Sequence, residues 1–124
     1  MPVDIAIDQS RDVIRATLTG LAGTDEVFAA FTKAYARPEY HRGMAALVDA
    51  RDYPHQNSIE DVRRIADFLT RRPETAGGVR LAVVVSRPVS YGMMRQLQAY
   101  LDASPLKVSI FYDLEEAERW LAAA

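Results

Sequence analysis

The segment Leu81-Ala82-Val83-Val84-Val85 constrains the fold more than any other part of the chain. Three successive valines favour an extended backbone, because β-branched side chains pack well on a pleated surface. The run lacks the in-out alternation of a strand with one wet face, as expected of a central strand covered on both sides. It is also far too short to span a bilayer.

The flanking pattern says what covers it. Val3 to Asp8 alternates apolar with polar or small residues, and Val13 to Thr19 alternates again and stops at Gly20. Separated by the polar turn Gln9-Ser10-Arg11-Asp12, these two strands read as an N-terminal hairpin. Thr24 is the expected cap of a first helix, whose apolar positions are Val27, Phe28, Phe31 and Tyr35 and which Pro38 ends. Ala45 to Asp49 reads as a second central strand, followed by a loop from Ala50 to Asn57. Ser58 then caps a second helix with the stripe Ile59, Val62, Ile65, Ala66 and Leu69, and Glu60–Arg64 and Asp67–Arg71 are the expected i,i+4 pairs on its outer face.

Pro73 and Gly77-Gly78 break the chain before the Leu81–Val85 strand. A third helix follows, with Met93, Met94, Leu97 and Leu101 inward, and Pro105 closes it. Val108 to Phe111 is the last strand. Asp113 with Glu116 makes an acidic capping box for a C-terminal helix carrying Leu114, Ala117 and Leu121 on its inner side. Strands alternating with single helices imply right-handed βαβ crossovers. The expected fold is therefore a single α/β domain over residues 1–124, with a mixed, mostly parallel sheet and an N-terminal β-hairpin followed by βα units.

This order of elements resembles the STAS superfamily, the anti-sigma-factor antagonists and their SpoIIAA-like bacterial relatives. The ending Phe111-Tyr112-Asp113-Leu114-Glu115-Glu116-Ala117-Glu118-Arg119-Trp120-Leu121 is similar to the acidic-capped helix that commonly closes SpoIIAA-like chains, and Arg80 leading an Ala-Val-Val-Val strand is a second likeness. The resemblance implies a regulatory or protein-binding role. In signalling members a Ser or Thr at the start of the second crossover helix is phosphorylated, usually within Asp-Ser-Ser-Gly or Asp-Ser-Thr-Gly. Ser58 stands at that place and is the candidate phosphoacceptor, but Asn57 replaces the Asp and no Gly follows. Glu60 and Asp61 would repel an added phosphate. The plainer reading is that Ser58 is only a helix cap, for which Asp would also serve.

Composition narrows the chemistry. Without cysteine there are no disulfides, thiolate nucleophiles or Cys-ligated zinc. A formal net charge of -2 argues against a general nucleic-acid surface, which needs excess Lys and Arg. Between Arg37 and Arg95 ten Arg face seven acids, which reads either as a patch for an anionic partner or as solvated helix faces. The opening Met1-Pro2-Val3-Asp4 lacks the basic start and apolar run of a leader, so a cytoplasmic location is expected.

No catalytic motif emerges. His41 and His55 lie in separate loops without metal-ligand spacing, so no metal is expected. There is no Gly-x-Ser-x-Gly elbow and no glycine-rich phosphate loop, and no cofactor is expected. Asp49 at a strand end suggests a response-regulator receiver, but the paired acids and the Lys that receivers need are replaced by Gly20-Leu21 and Tyr112-Asp113.

In open parallel sheets ligands bind outside the strand carboxyl ends. That rule selects Arg51, His55, Ser86, Arg87 and Tyr91 as candidate ligand-binding residues, with Asp49, Asp52 and Tyr112 nearby; Arg51 and Arg87 beside helix N-termini would suit an anion. Both Arg could equally pair with Asp49 and Asp52.

Three functional readings follow. The first is a non-enzymatic regulatory or protein-interaction module with an unidentified protein partner. The second is a binder of a small anionic or lipid-like ligand, favoured if an apolar cavity lies beneath the third helix. The third is a hydrolase using Ser86 or Ser58 with His55. Exposure of Tyr100, Met93 or Trp120 would create an apolar patch, so a weak homodimer is expected.

Overall fold

Parallel neighbours cannot be joined by a tight turn; each needs a crossover, and the chain supplies one helix per crossover. In the computed structural model, which describes residues 2–20, 22–53 and 58–123, the elements run β1 (Val3–Asp8), β2 (Val13–Thr19), α1 (Thr24–Tyr35), β3 (Ala45–Asp52), α2 (Ile59–Arg71), α3 (Pro73–Ala76), β4 (Arg80–Val84), α4 (Pro88–Tyr100), β5 (Lys107–Phe111) and α5 (Leu114–Ala122). The sheet order is β1-β2-β3-β4-β5. β1 pairs antiparallel with β2, and every other pair is parallel.

Alternation along the strands divides the core into two sides. Leu81, Val83 and Val85 pack with Val62 and Ala66 of α2 and with Met94 and Leu97 of α4. Ile14 and Ala16 meet Phe31 and Ala34 of α1 on the same side. Ala82 and Val84 point the other way, with Leu47 and Val13, onto Ala117 and Leu121 of α5. The expected burial of β4 on both faces is therefore observed.

Several boundaries and contacts differ from the sequence reading. β4 begins at Arg80, β5 at Lys107, and β3 runs on to Asp52 because it follows the end of β2. The cap of α1 is Gly23 rather than Thr24, and its amide donates to the Glu26 carboxylate at 3.2 Å. Ile59 is 52% exposed, since the first turn of α2 projects past the core. On that helix Arg63 faces Glu60 at i,i+3, and Arg64 reaches across to Asp25 of α1. The Asp113 carboxylate accepts from the Glu115 amide at 3.0 Å, without the reciprocal bond from Glu116. The short helix α3 was not anticipated; Pro73 starts it.

Gly20, Gly43 and Gly78 have backbone angles that side chains resist, at φ +61°, +98° and +94°, and the last two make an instructive contrast. A Cβ at 43 would meet open space, whereas one at 78 would sit 3.2 Å from both the Cβ and the carbonyl oxygen of Pro105. Gly43→Ala should cost about 1–2 kcal/mol through backbone strain alone. Gly78→Ala should cost more, because Pro105 precedes β5 and cannot yield freely. Urea unfolding midpoints measure both, and equal losses would contradict the Pro105 contact.

Candidate functional site

The side of the sheet facing α1, α2 and α4 is not filled. Between these helices and the strands lies a cavity of about 110 Å³, with walls almost wholly apolar. Val27, Phe28, Phe31 and Tyr35 of α1 form one wall, Ile65, Phe68 and Leu69 of α2 another, and Met94 and Leu97 of α4 the third. Ala46, Val48 and Val83 make the floor. Small side chains at 46 and 50 leave room that larger residues would take.

The outer wall is held by aromatic and polar contacts between α1 and α2. The Phe28 and Phe68 rings stack at 4.4 Å and 6°. Arg64 pairs with Asp25 and lies 5.6 Å over Phe28. Arg72 lies over both Tyr35 and Phe68, at 5.4 and 5.7 Å, and its Nε donates to Glu74 at 3.0 Å. Burial pushes the Tyr35 phenol well above its usual pKa, so it stays neutral. Its hydroxyl has no hydrogen-bond partner among the described residues. Phe28 belonged to the sequence-predicted stripe, but Phe68 was missed; its spacing of three from Ile65 was the available signal.

At the strand carboxyl ends Asp49, Arg51, Ser86, Tyr91 and Tyr112 are engaged with one another. Asp49 and Arg51 are two apart on β3 and share a face, so their side chains form a fork with bonds of 2.9 and 2.8 Å. The Arg51 hydrogen bond holds the Asp49 carboxyl below its ordinary range, and Asp49 in turn raises Arg51. The Ser86 hydroxyl donates to the Arg51 carbonyl at 2.7 Å, tying the end of β4 to that of β3. Tyr91 stacks on Tyr112 at 5.1 Å and 11°. Arg87 is the cap residue of α4 and makes no side-chain capping bond. His55 lies outside the described residues.

Ser58 is fully occupied by its helix. Its Oγ accepts from the Asp61 amide at 3.2 Å and donates to the Asp61 carboxylate, also at 3.2 Å. The Ser58 amide donates to that carboxylate at 3.0 Å, the main cause of a lowered Asp61 pKa. An acidic group at 58 would therefore face Asp61 directly.

His41 bridges two loops at the opposite end of the sheet. Its Nδ1 faces the Arg42 carbonyl at 3.0 Å and its Nε2 faces the Asp12 carboxylate. Both partners only accept, so the ring satisfies both as an imidazolium, and Asp12 raises its pKa. Asp12 holds a left-handed backbone at φ 60° in the hairpin turn. No group of three or more potential ligands is placed to hold a metal among the described residues, and none of their helices is long and apolar enough to cross a membrane.

These features define a SpoIIAA-like α/β fold, as the resemblance implied. The chain is similar to an uncharacterized protein from the DUF3478 family with a SpoIIAA-like fold, from Shewanella loihica PV-4. The two structures superpose with a TM-score of 0.60 at 17% identity, over 96% of this chain and 93% of that one. No family model matches the sequence, and no curated protein matches it.

Two outcomes test the site. Ser58→Ala should destabilise the fold by about 1 kcal/mol, the value of one cap. Ser58→Asp should not recover that loss, because of Asp61, contrary to the sequence-based expectation that Asp would serve equally. Denaturant titration decides this, and full recovery by Asp would show that the Ser58–Asp61 contact is not made. The second outcome concerns His41, whose pKa is higher folded than unfolded. Its contribution to stability is complete below the unfolded value, about 6.5, and fades as pH rises through the folded one. Proton NMR titration of the ring should show a downward shift in Asp12→Asn; an unchanged titration would mean the pair does not form.

Proposed function

We propose that the protein is a non-enzymatic binding module that takes a small, largely apolar molecule between its helical layer and its sheet. The cavity of about 110 Å³ beneath the Phe28–Phe68 pair carries this reading. Protein interiors are packed as densely as organic crystals. At about 24 cal/mol per Å³, an empty void of this size costs about 2–3 kcal/mol. A guest that fills it recovers that energy, and an engineered apolar void only slightly larger, about 150 Å³, accepts benzene.

The surface outside the stacked pair suits an amphiphilic guest. Arg64, Arg71 and Arg72 surround a shallow recess there, together with Phe28, Phe68 and Asp67. A carboxylate or phosphate attached to an apolar tail would meet cations as the tail entered. In this reading the ligand enters by the cleft between α1 and α2, a different place from the strand carboxyl ends selected by the sequence. A guest that parts Phe28 from Phe68 also changes the outer surface of both helices. This gives the module a regulatory output, and a SpoIIAA-like fold is compatible with such a role.

A second reading, protein docking, rests on the start of α4. Val89 and Tyr112 are 61% and 52% exposed, beside Tyr91 and Arg87. A partner contacting this rim would use the Arg51, Ser86, Arg87 and Tyr91 set. Of the three residues expected to form an apolar patch, Tyr100 is 46% exposed, with Arg63 donating to its hydroxyl, whereas Met93 and Trp120 are half-buried and Trp120 packs on Phe111 and under Arg80.

Saturating benzene, or a short-chain fatty acid, should raise the Tm of the native protein and shift the methyl NMR signals of Val48, Ile65 and Val83. Ala46→Leu, which fills the floor of the cavity, should abolish both effects while leaving the fold at least as stable. Absence of any shift with either probe in the native protein would sink the ligand reading.

A further inference from the structure

A five-stranded open sheet has two edges, and each exposes backbone groups that could pair with another chain. Both edges of this sheet carry the same device. At β1 the Pro2 carbonyl accepts from the Thr19 amide at 2.9 Å, so alternation turns Asp4, Ala6 and Asp8 toward β2 and leaves Val3, Ile5 and Ile7 facing outward. The central outward carbonyl, that of Ile5, accepts from a guanidinium nitrogen of Arg37 at 3.0 Å. At β5 the Lys107 amide donates to Val79 and the Phe111 carbonyl accepts from Val85, so Val108 and Ile110 face outward. The Val108 carbonyl accepts from the Gln98 amide nitrogen at 2.7 Å.

We infer that Arg37 and Gln98 guard the two sheet edges, and that the partner they exclude is a strand from a second copy of this chain. The edges would otherwise be good templates. β1 is Val-Asp-Ile-Ala-Ile-Asp and β5 is Lys-Val-Ser-Ile-Phe, both rich in β-branched residues and without proline. An incoming strand must take the outward carbonyl that the guard already holds, and at β1 it must also displace a charged side chain. Arg37 is exposed and comes from the turn after α1, so it blocks the edge without being part of the core. Gln98 reaches from α4, whose neighbours Leu97 and Leu101 are buried. The two bonds stand at opposite ends of the sheet and come from unrelated elements, which a single local packing need does not explain. The homodimer expected from the sequence would then have to use a face of the protein rather than an edge.

Sedimentation velocity from low micromolar to near-millimolar concentration tests this. The native chain should show no edge-mediated association. Arg37→Ala should rise in weight-average mass toward a dimer as concentration increases, Gln98→Ala likewise, and the double variant should associate at the lowest concentration. Arg37→Lys, which keeps a charge and a donor at the edge, should behave as the native chain does. Hydrogen exchange adds the location: the amides of Val3, Ile5 and Ile7 should gain protection with concentration in Arg37→Ala. Because Arg37 is exposed, its variant remains informative even where Gln98→Ala is poorly folded. The proposal is overturned if Arg37→Ala has the same concentration dependence as the native chain, or if the native chain already protects those three amides on association.

Discussion

The handedness of the parallel crossover governs this molecule. From β2 to β5 the chain steps three times in the same direction across the sheet. Right-handed connections then require all three crossover helices to lie on one side. α1, α2 and α4 do so, and the reverse side of β4 would be left wet if nothing else covered it. α5 supplies that cover, meeting Ala82, Val84 and Leu47 with Ala117 and Leu121. The double burial of β4 is thus a consequence of topology as much as of its own residues. The crowding of three helices over one face also sets up the gap they enclose, since α1 and α2 touch chiefly through long side chains at their outer rims.

Arginine does much of the fastening. Arg11 and Arg15 converge on Glu118, at 2.9 and 2.6 Å, and Arg80 donates to the Trp120 carbonyl while lying over its ring. These contacts pin the last helix to the back of the sheet, and place cations near its C-terminal end, where the helix dipole favours them. Arg64 and Arg72 join the first two helices, and Arg51 folds back on Asp49. The Arg residues between 37 and 95 are spread over several elements, and Arg37, Arg51, Arg63, Arg64, Arg72 and Arg80 each have a partner of their own. Exposed pairs of this kind add little stability singly. Their role is to set orientation: planar guanidinium groups can stack on a ring and bond a carboxylate at the same time.

The strands were readable because each carries its own evidence. Alternation at Val3–Asp8, and three valines in a row before Ser86, describe local environments that one segment suffices to define. The caps were readable within one residue, and the shift from Thr24 to Gly23 shows why they go no further: Glu26 can satisfy either amide in principle, and only the path of the chain decides. Ile59 fitted the α2 stripe by spacing yet lies outside the core, because periodicity gives a direction around the helix and says nothing of how far the helix overhangs its sheet. The cavity was beyond reach for a related reason. It is a difference between the volume three helices enclose and the volume their side chains occupy, a sum over residues distant in sequence. Of the cluster selected at the strand carboxyl ends, Arg51 and Ser86 meet through a hydrogen bond. Within it Arg51 is paired with Asp49, which stands two residues away on the same face.

A void beneath the helices also sets how the fold responds to compression. Unfolding dismantles the internal space that packing leaves unfilled by side chains, so a globular chain occupies less volume unfolded than folded, by a quantity on the order of tens of mL/mol. The cavity of about 110 Å³ adds to that difference in one place, under α1 and α2. Hydrostatic pressure should therefore act on this protein unevenly. It would loosen the two helices that close the cavity before it disturbs α5 and the opposite side of β4, where Ala82 and Val84 pack on Ala117 and Leu121.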